Sequence, residues 1–241
     1  MRDVANADYR AVWFGKPVLR EIYGDYYRRV AGQVVPGRTL EIGGGSGNFK
    51  SFAQDVVSTD VVYAPWLDGV ADAQALPFTG GSFANIVMVD VLHHIEWPVR
   101  FFGEAVRVLG HGGRIVMLEP AITPLSGIFY RHFHPEPVDM DADPLAEGER
   151  TRERDPFAAN QAIPTLIAGR HRDRFEARFP ALRVVRAEWL SLLAYPLSGG
   201  FRPWSALPVG LVRPLLKVED AAAPLLGRLA AFRLLLVIER A

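Results

Sequence analysis

The stretch TLEIGGGSGNF, Thr39 to Phe49, decides how this chain is read. Leu40 and Ile42 are the apolar residues of a buried strand end. Gly43, Gly45 and Gly47 remove Cβ atoms where the backbone must turn sharply, so a ligand could approach the main chain closely. A helix expected over residues 49–55 would add its first amides and the positive end of its dipole. Glycine turns also occur on surfaces that bind nothing, so the spacing has to discriminate.

Counted from Gly43, the dinucleotide pattern G-x-G-x-x-G puts Asn48 at its sixth position, where a side chain obstructs a pyrophosphate. The phosphate loop G-x-x-x-x-G-K-S/T fails too, because Lys50 and Ser51 follow Phe49. A nicotinamide-dependent dehydrogenase therefore stays only as the second reading, and a non-catalytic cofactor-binding module as the third. The pattern Glu41-x-Gly43-x-Gly45-x-Gly47 instead resembles the first motif of class I S-adenosylmethionine-dependent methyltransferases, of the type 11 kind.

The following segments keep step with that resemblance. VVSTD reads as a second strand ending in Asp60, about 20 residues past the loop, where an acid can accept two hydrogen bonds from a ribose diol. A turn cap is the plain alternative. GVADAQALPF resembles the segment that meets adenine, which assigns Asp72 and Ala73 to the base. NIVMVDVLHHI reads as a fourth strand entering a Leu-His-His motif, and EAVRVLGHGGRIVMLEP as a helix, a glycine turn and a fifth strand. Ala84 after Phe83 and His111 before Gly-Gly depart from the family pattern without removing a group that touches cofactor.

The resemblance spans residues 39–120 and extends to the final strands. It implies an α/β, doubly wound Rossmann-like fold with a seven-stranded sheet, mostly parallel with the last strand antiparallel, and S-adenosylmethionine as cofactor. It also implies Glu41 at the methionyl ammonium, directly or through water. Gly43, Gly44, Gly45 and Gly47 would pass beneath the methionyl part, with Asp60 on the ribose and Asp90 beside the methionyl group.

At 241 residues, 49% hydrophobic and 22% charged, the chain can fill one core, so a single domain over residues 1–241 is expected. A net charge of zero gives no field for nucleic acid, and no basic stripe is interleaved with aromatics. There is no cysteine, hence no disulfide framework. MRDVANADYR lacks a signal-peptide layout, and no apolar run reaches the ~20 residues that span a bilayer. A cytoplasmic enzyme acting on a small molecule is expected, without stable membrane insertion. The sequence is silent on oligomeric state and on the acceptor atom.

Val18, Ile22, Tyr26 and Val30 recur at helical spacing and predict a helix over 17–32, within an N-terminal cover of residues 1–32. Trp13, Phe14, Tyr23 and Tyr27 would suit closure over a cofactor. Residues 121–180 interrupt the strand pattern for longer than an ordinary loop and read as an inserted substrate cap. Tyr130 and His132 are its candidate acceptor contacts. AIPTLIAGRHRDRFEARFP in that cap reads as a helix followed by a turn.

A hydroxyl acceptor must lose a proton, and histidine titrates near ~6.5. His94 and His134 are the candidate bases, although each reads more simply as a structural residue. His132, His134, Glu136 and Asp139 are ligand types, but the intervening prolines argue against convergence, and no metal is expected. At the C-terminal end, FRLLLVIE predicts the last strand. Residues 207–229 give helical turns started or broken by Pro208, Pro214 and Pro224, covering the sheet or forming an apolar lip open to peripheral lipid contact.

Overall fold

The computed structural model describes residues 2–151 and 154–241. Met1 of the expected cover, and Arg152 and Glu153 of the expected cap, lie outside them. Seven strands form one sheet: β1 (Thr39–Ile42), β2 (Val56–Asp60), β3 (Gly69–Val70), β4 (Phe83–Val89), β5 (Leu109–Pro120), β6 (Leu182–Leu190) and β7 (Arg233–Arg240). Their order is β3-β2-β1-β4-β5-β7-β6. β7 runs antiparallel to both neighbours and the remaining pairs are parallel. The chain reverses direction across the sheet between β1 and β4, the switch point outside whose strand ends ligands bind in open α/β sheets.

Alternation along the strands sorts two buried layers. Ile86, Met88, Ile115 and Met117 face α3 (Pro98–Val108), α5 (Ile163–Ala168) and α6 (Arg172–Arg178), where Phe101, Phe102 and Phe175 are fully buried. Val87, Val116 and Leu118 face the other layer, which holds α1 (Arg2–Gly15), α2 (Pro17–Ala31), α7 (Ala194–Ser198) and α8 (Val209–Ala230). The expected helix over 17–32 is thus observed. Leu19, Ile22, Tyr26 and Val30 on one side of α2 are buried, as the 3.6-residue period requires.

Two expectations fail here. The helix over 49–55 is only a 3-10 turn, Phe49–Ser51. Phe49 is fully buried, and Tyr27 of α2 packs on both Phe49 and Phe52 at ring separations of 6.0 and 5.1 Å. The face where a helix would have docked is taken by α2. No helix dipole therefore stands behind the glycine loop. Pro208 stands at the start of α8, but Pro214 and Pro224 do not break it, because α8 is one 22-residue helix with both inside it. Val212 and Leu216 face the layer beneath, whereas Leu211, Val218, Leu225 and Leu229 are exposed. Among the described residues no helix is long and apolar enough to cross a membrane.

The segment between β5 and β6 carries its own elements: α4 (Pro124–Phe133), then irregular chain, then α5 and α6. The predicted helix and turn are two short helices separated at Gly169. The irregular part is pinned across the sheet's ligand side. Trp97 donates its indole N–H to the Glu149 carbonyl at 2.9 Å, Arg100 reaches the Gly148 carbonyl at 2.9 Å, and Arg154 reaches the His94 carbonyl at 2.6 Å.

Candidate functional site

β1, β2 and β4 end at a cavity of about 830 Å³ that extends beneath the cap. The volume falls in the range of small-molecule sites. Gly43, Gly44 and Gly45 form one end of its wall, with Asp60, Asp72 and Ala73 beside them. Gly43 has φ +70°, and a Cβ there would lie 2.3 Å from Cγ2 of Val91. Glycine lets the turn lie directly on the chain leaving β4. Gly45 has φ +46°, and a Cβ there would meet nothing closer than the Gly43 carbonyl at 3.8 Å. Its open face is on the cavity.

Asp60 closes this end. Its Oδ2 accepts the Gly45 N–H at 3.0 Å and its Oδ1 the Val62 N–H at 2.9 Å. Each oxygen keeps the capacity to accept a further hydrogen bond. Burial raises its pKa, opposed by those backbone bonds. Asp72 accepts the Gln74 N–H at 2.8 Å, and Arg150 of the cap stands 3.3 Å from its other oxygen. Arg10 of α1 bonds the Ser46 carbonyl and lies over Trp66, whose N–H donates to the Gly45 carbonyl at 2.8 Å. The N-terminal cover therefore holds the loop from outside.

Three assigned residues are not on the cavity wall. Glu41 points behind the loop and bonds the Ser58 hydroxyl. Burial pushes its carboxyl up to about 7, against the hydrogen bond from Ser58 and the charge of Lys50. Gly47 faces Trp66, where a Cβ would come to 2.6 Å of Cδ1. His132 is exposed on α4. Tyr130 borders the cavity with its ring, but its hydroxyl donates to the Phe232 carbonyl at 3.0 Å. Asn48, the residue that spoke against a dinucleotide, is buried and donates to Ser46 Oγ at 2.6 Å.

Asp90 lies on the wall with φ +59°. It pairs with Arg233 and accepts from the Tyr23 hydroxyl at 2.9 Å. The Arg233 side chain is only 1% exposed, and the Tyr195 ring lies 4.0 Å from its guanidinium carbon. This pair was missed in the sequence. The available signal was an arginine opening the apolar run Leu234 to Ile238, since a buried guanidinium needs an acid partner.

His94 and His134 both line the cavity. Burial lowers the pKa of each, and the neighbouring His93 lowers that of His94 further. His134 Nδ1 accepts the Glu136 N–H at 3.3 Å. The quartet of His132, His134, Glu136 and Asp139 does not form: His132 and Asp139 are exposed, and the Asp139 N–H is bound to Asn160. Glu136 turns instead to the 3-10 turn Leu92–His94, 3.5 Å from His93 Nε2 and 4.0 Å from His94 Nε2. His93 Nδ1 is 2.7 Å from Oε2 of the fully buried Glu119. Burial alone would lower the His93 pKa, but hydrogen bonds to Glu119 and Glu136 raise it to about 9. The same imidazolium, outweighing burial, holds Glu136 down to about 2.

Residues 40–117 match a family described as a methyltransferase domain. No curated protein matches. Among solved structures, an S-adenosylmethionine-dependent methyltransferase from Archaeoglobus fulgidus is 15% identical, with 92% of this chain and 94% of that one aligned at a TM-score of 0.53. Geranyl diphosphate C-methyltransferase from Streptomyces coelicolor A3(2), solved with S-adenosyl-L-homocysteine, is 15% identical over 92% of this chain and 76% of that one, TM-score 0.50. A possible histamine N-methyltransferase from Thermotoga maritima is 25% identical over 49% of this chain, TM-score 0.43, and the alignment spans 60% of that protein's length. The glycine loop that lies on Val91 and is fastened to Asp60 falls inside the segment that matches the methyltransferase domain, and the chain shares the fold of S-adenosylmethionine-dependent methyltransferases.

Proposed function

We propose that the protein methylates a small amphipathic molecule at a hydroxyl group presented from beneath the cap. One observation carries this reading: a single cavity is walled at one end by the glycine loop, Asp60 and Asp72, and at the other by Phe129, Phe133, His134 and Glu136. Donor and acceptor would share one chamber, and alignment of two reactants in a closed site can contribute ~7–11 kcal/mol. When bound, S-adenosylmethionine supplies a methyl group on a sulfonium that already carries its leaving group.

The chain's own groups then divide the work. Asp60 holds the ribose diol, Asp72 and the Ala73 amide read adenine, and Gly43 to Gly45 let the methionyl part lie on the main chain. Glu41 and Gly47 support the loop from behind. Asp90, fixed by Arg233, borders the methionyl end. Phe129 and Phe133 give the acceptor an apolar wall. His94, neutral near pH 7 because its pKa is lowered, accepts the hydroxyl proton, and His134 orients the acceptor beside it.

Protein stripped of cofactor should gain ~2.7 kcal/mol in stability with S-adenosylhomocysteine at about 100 times its dissociation constant. Labelled methyl should appear on members of a panel of hydroxylated amphiphiles in the presence of the donor. A melting temperature unmoved by donor and by product would end this reading.

A further inference from the structure

Two consecutive histidines on one wall and a glutamate of the cap on the other aim at the same point. His93 Nε2 is 3.5 Å from Glu136 Oε2, and His94 Nε2 is 4.0 Å from Oε1 of the same carboxylate. One donor atom from each of the three lies within 4.8 Å of the others, the group of this kind found among the described residues. An ion bound at ~2.0–2.2 Å to each would set its ligands roughly 3.0–3.6 Å apart. Only a small contraction separates the present geometry from that one.

The surroundings match a metal site better than a bare ion pair. His93 is backed by Glu119, which is fully buried and accepts the Val91 and Leu92 N–H groups at 2.9 and 2.8 Å as well as His93 Nδ1 at 2.7 Å. A carboxylate behind an imidazole is the usual outer partner of a metal-binding histidine, fixing its tautomer and ring plane. An ion pair between His93 and Glu136 would not need His94. Yet its ring lies 4.2 Å from that of His93 with its Nε2 turned to the same carboxylate. Two buried polar atoms here, His94 Nδ1 and Gln161 Oε1, have no partner among the described residues. Gln161 also donates to Glu136, and all four side chains border the cavity.

We propose that His93, His94 and Glu136 bind one divalent first-row transition-metal ion, with its open positions facing the acceptor end of the cavity. Two imidazoles and a carboxylate suit Zn²⁺, Mn²⁺ or Fe²⁺ and disfavour Mg²⁺ or Ca²⁺, which take oxygen ligands. Three protein ligands leave room for an oxygen atom of the acceptor, as in catalytic rather than structural sites. This deepens the acceptor half of the function above and rests on it only for what fills the open position. With the ion bound, His94 would serve as a ligand and not as the base; the cation would lower the pKa of a coordinated acceptor hydroxyl, whose proton would pass to water in the cavity. The ion would also fasten the cap, through Glu136, to the end of β4.

The test is calorimetric titration of chelator-treated full-length protein with Zn²⁺ and with Mn²⁺, paired with elemental analysis after dialysis. One equivalent per chain is expected. His93→Ala and Glu136→Gln should each weaken binding at least tenfold, and Glu119→Gln by 10- to 100-fold. The exposed control His111→Ala should leave it unchanged. Co²⁺ in the same protein should give the visible absorption of a nitrogen and oxygen site. Cooperative melting of each variant, and S-adenosylhomocysteine affinity within threefold of the parent, separate loss of the site from loss of the fold. Absence of binding at micromolar metal, or binding indifferent to both His93→Ala and Glu136→Gln, overturns the proposal. If metal binds as described while S-adenosylhomocysteine does not, the methyltransferase reading fails and the metal site stands.

Discussion

Asp60 holds Gly45. The carboxylate at the end of β2 accepts the N–H at the tip of the glycine loop at 3.0 Å, so the residue assigned to the ribose also fixes the turn beside it. Asp60→Ala should therefore act twice, losing a charged acceptor, which is worth ~1.5–3 kcal/mol of cofactor affinity, and freeing the loop. Asp60→Asn keeps one acceptor oxygen and should fall between the two proteins. Calorimetry with S-adenosylhomocysteine reads both, and unchanged affinity in Asp60→Ala would remove Asp60 from the cofactor site.

Gly43 and Gly45 share a left-handed backbone but not their surroundings. An alanine at Gly43 must push Val91 away, at a cost of about 1–3 kcal/mol for overpacking, in addition to ~1–2 kcal/mol for the conformation. At Gly45 only the conformational cost applies, because the space beyond is open. Denaturant unfolding should thus rank Gly43→Ala clearly below Gly45→Ala. Cofactor affinity should suffer in Gly45→Ala despite its milder effect on stability, since the added methyl enters the cavity.

Local pattern and short-range chemistry carried most of the fold. Strand ends at Ile42, Asp60 and Val89 and the buried face of α2 are visible as periodicity, turns and spacing, whereas the antiparallel direction of the last strand followed from the family resemblance. The missing helix after the loop is a long-range effect: Tyr27 fills the place, and nothing in residues 49–55 announces it. The acceptor corner was illegible for the same reason. His93 and Glu136 are separated by more than forty residues that include several prolines, and only the path of the cap, pinned by Trp97 and Arg154, brings them together. Glu119 reads as the end of a strand, and its burial behind His93 is set by the depth of β5 in the sheet.

Glu41 gives a pH test. Its carboxyl titrates at about 7 in the fold, above the ~4.3 of an unfolded glutamate. A raised value means that its contribution to stability is present in full below the unfolded value and is lost as pH rises through about 7. Glu41→Gln should abolish that part of the pH dependence. It should melt closer to the parent near pH 5 and gain on it near pH 8. If the methionyl ammonium reaches this carboxylate through water, cofactor binding favours the ionised form. S-adenosylhomocysteine affinity would then rise from pH 5.5 to 8 in the parent and stay flat in Glu41→Gln. Matching slopes in the two proteins would exclude that contact.

The pairing of Asp90 with Arg233 should dominate the stability of the region between sheet and cover. Asp90→Ala leaves a guanidinium that is 1% exposed with only the Tyr23 hydroxyl, at 2.8 Å, and aromatic faces around it. Removing one partner of a buried pair costs ~3–5 kcal/mol. Arg233→Met removes the charge together with its need for a partner and should be milder, since Asp90 borders the cavity and reaches water. Equal losses in the two variants, measured by chemical denaturation, would show that the pair acts only by packing.

The last expectation concerns the cap. Glu41, Gly43 to Gly47, Asp60, Asp72 and Asp90 all precede it in the chain, and among the described residues the charged contact from the excised piece to this set is Arg150 with Asp72 at 3.3 Å. Both partners are partly exposed, and a pair of that kind is worth ~0–1 kcal/mol. Replacing residues 135–157 by a short linker should therefore change S-adenosylhomocysteine affinity no more than about fivefold. The same excision removes Glu136, Arg154 and Phe157 from the acceptor end, so turnover and the one-equivalent metal binding should both disappear. Trp97 loses its cover at Gly148 and Glu149, and a red shift of its emission would report that the cap has gone while cooperative melting reports that the sheet remains. A variant that melts cooperatively yet no longer binds S-adenosylhomocysteine would make the cap part of the cofactor site, and would move the boundary between donor and acceptor ends of the cavity to the far side of Arg150.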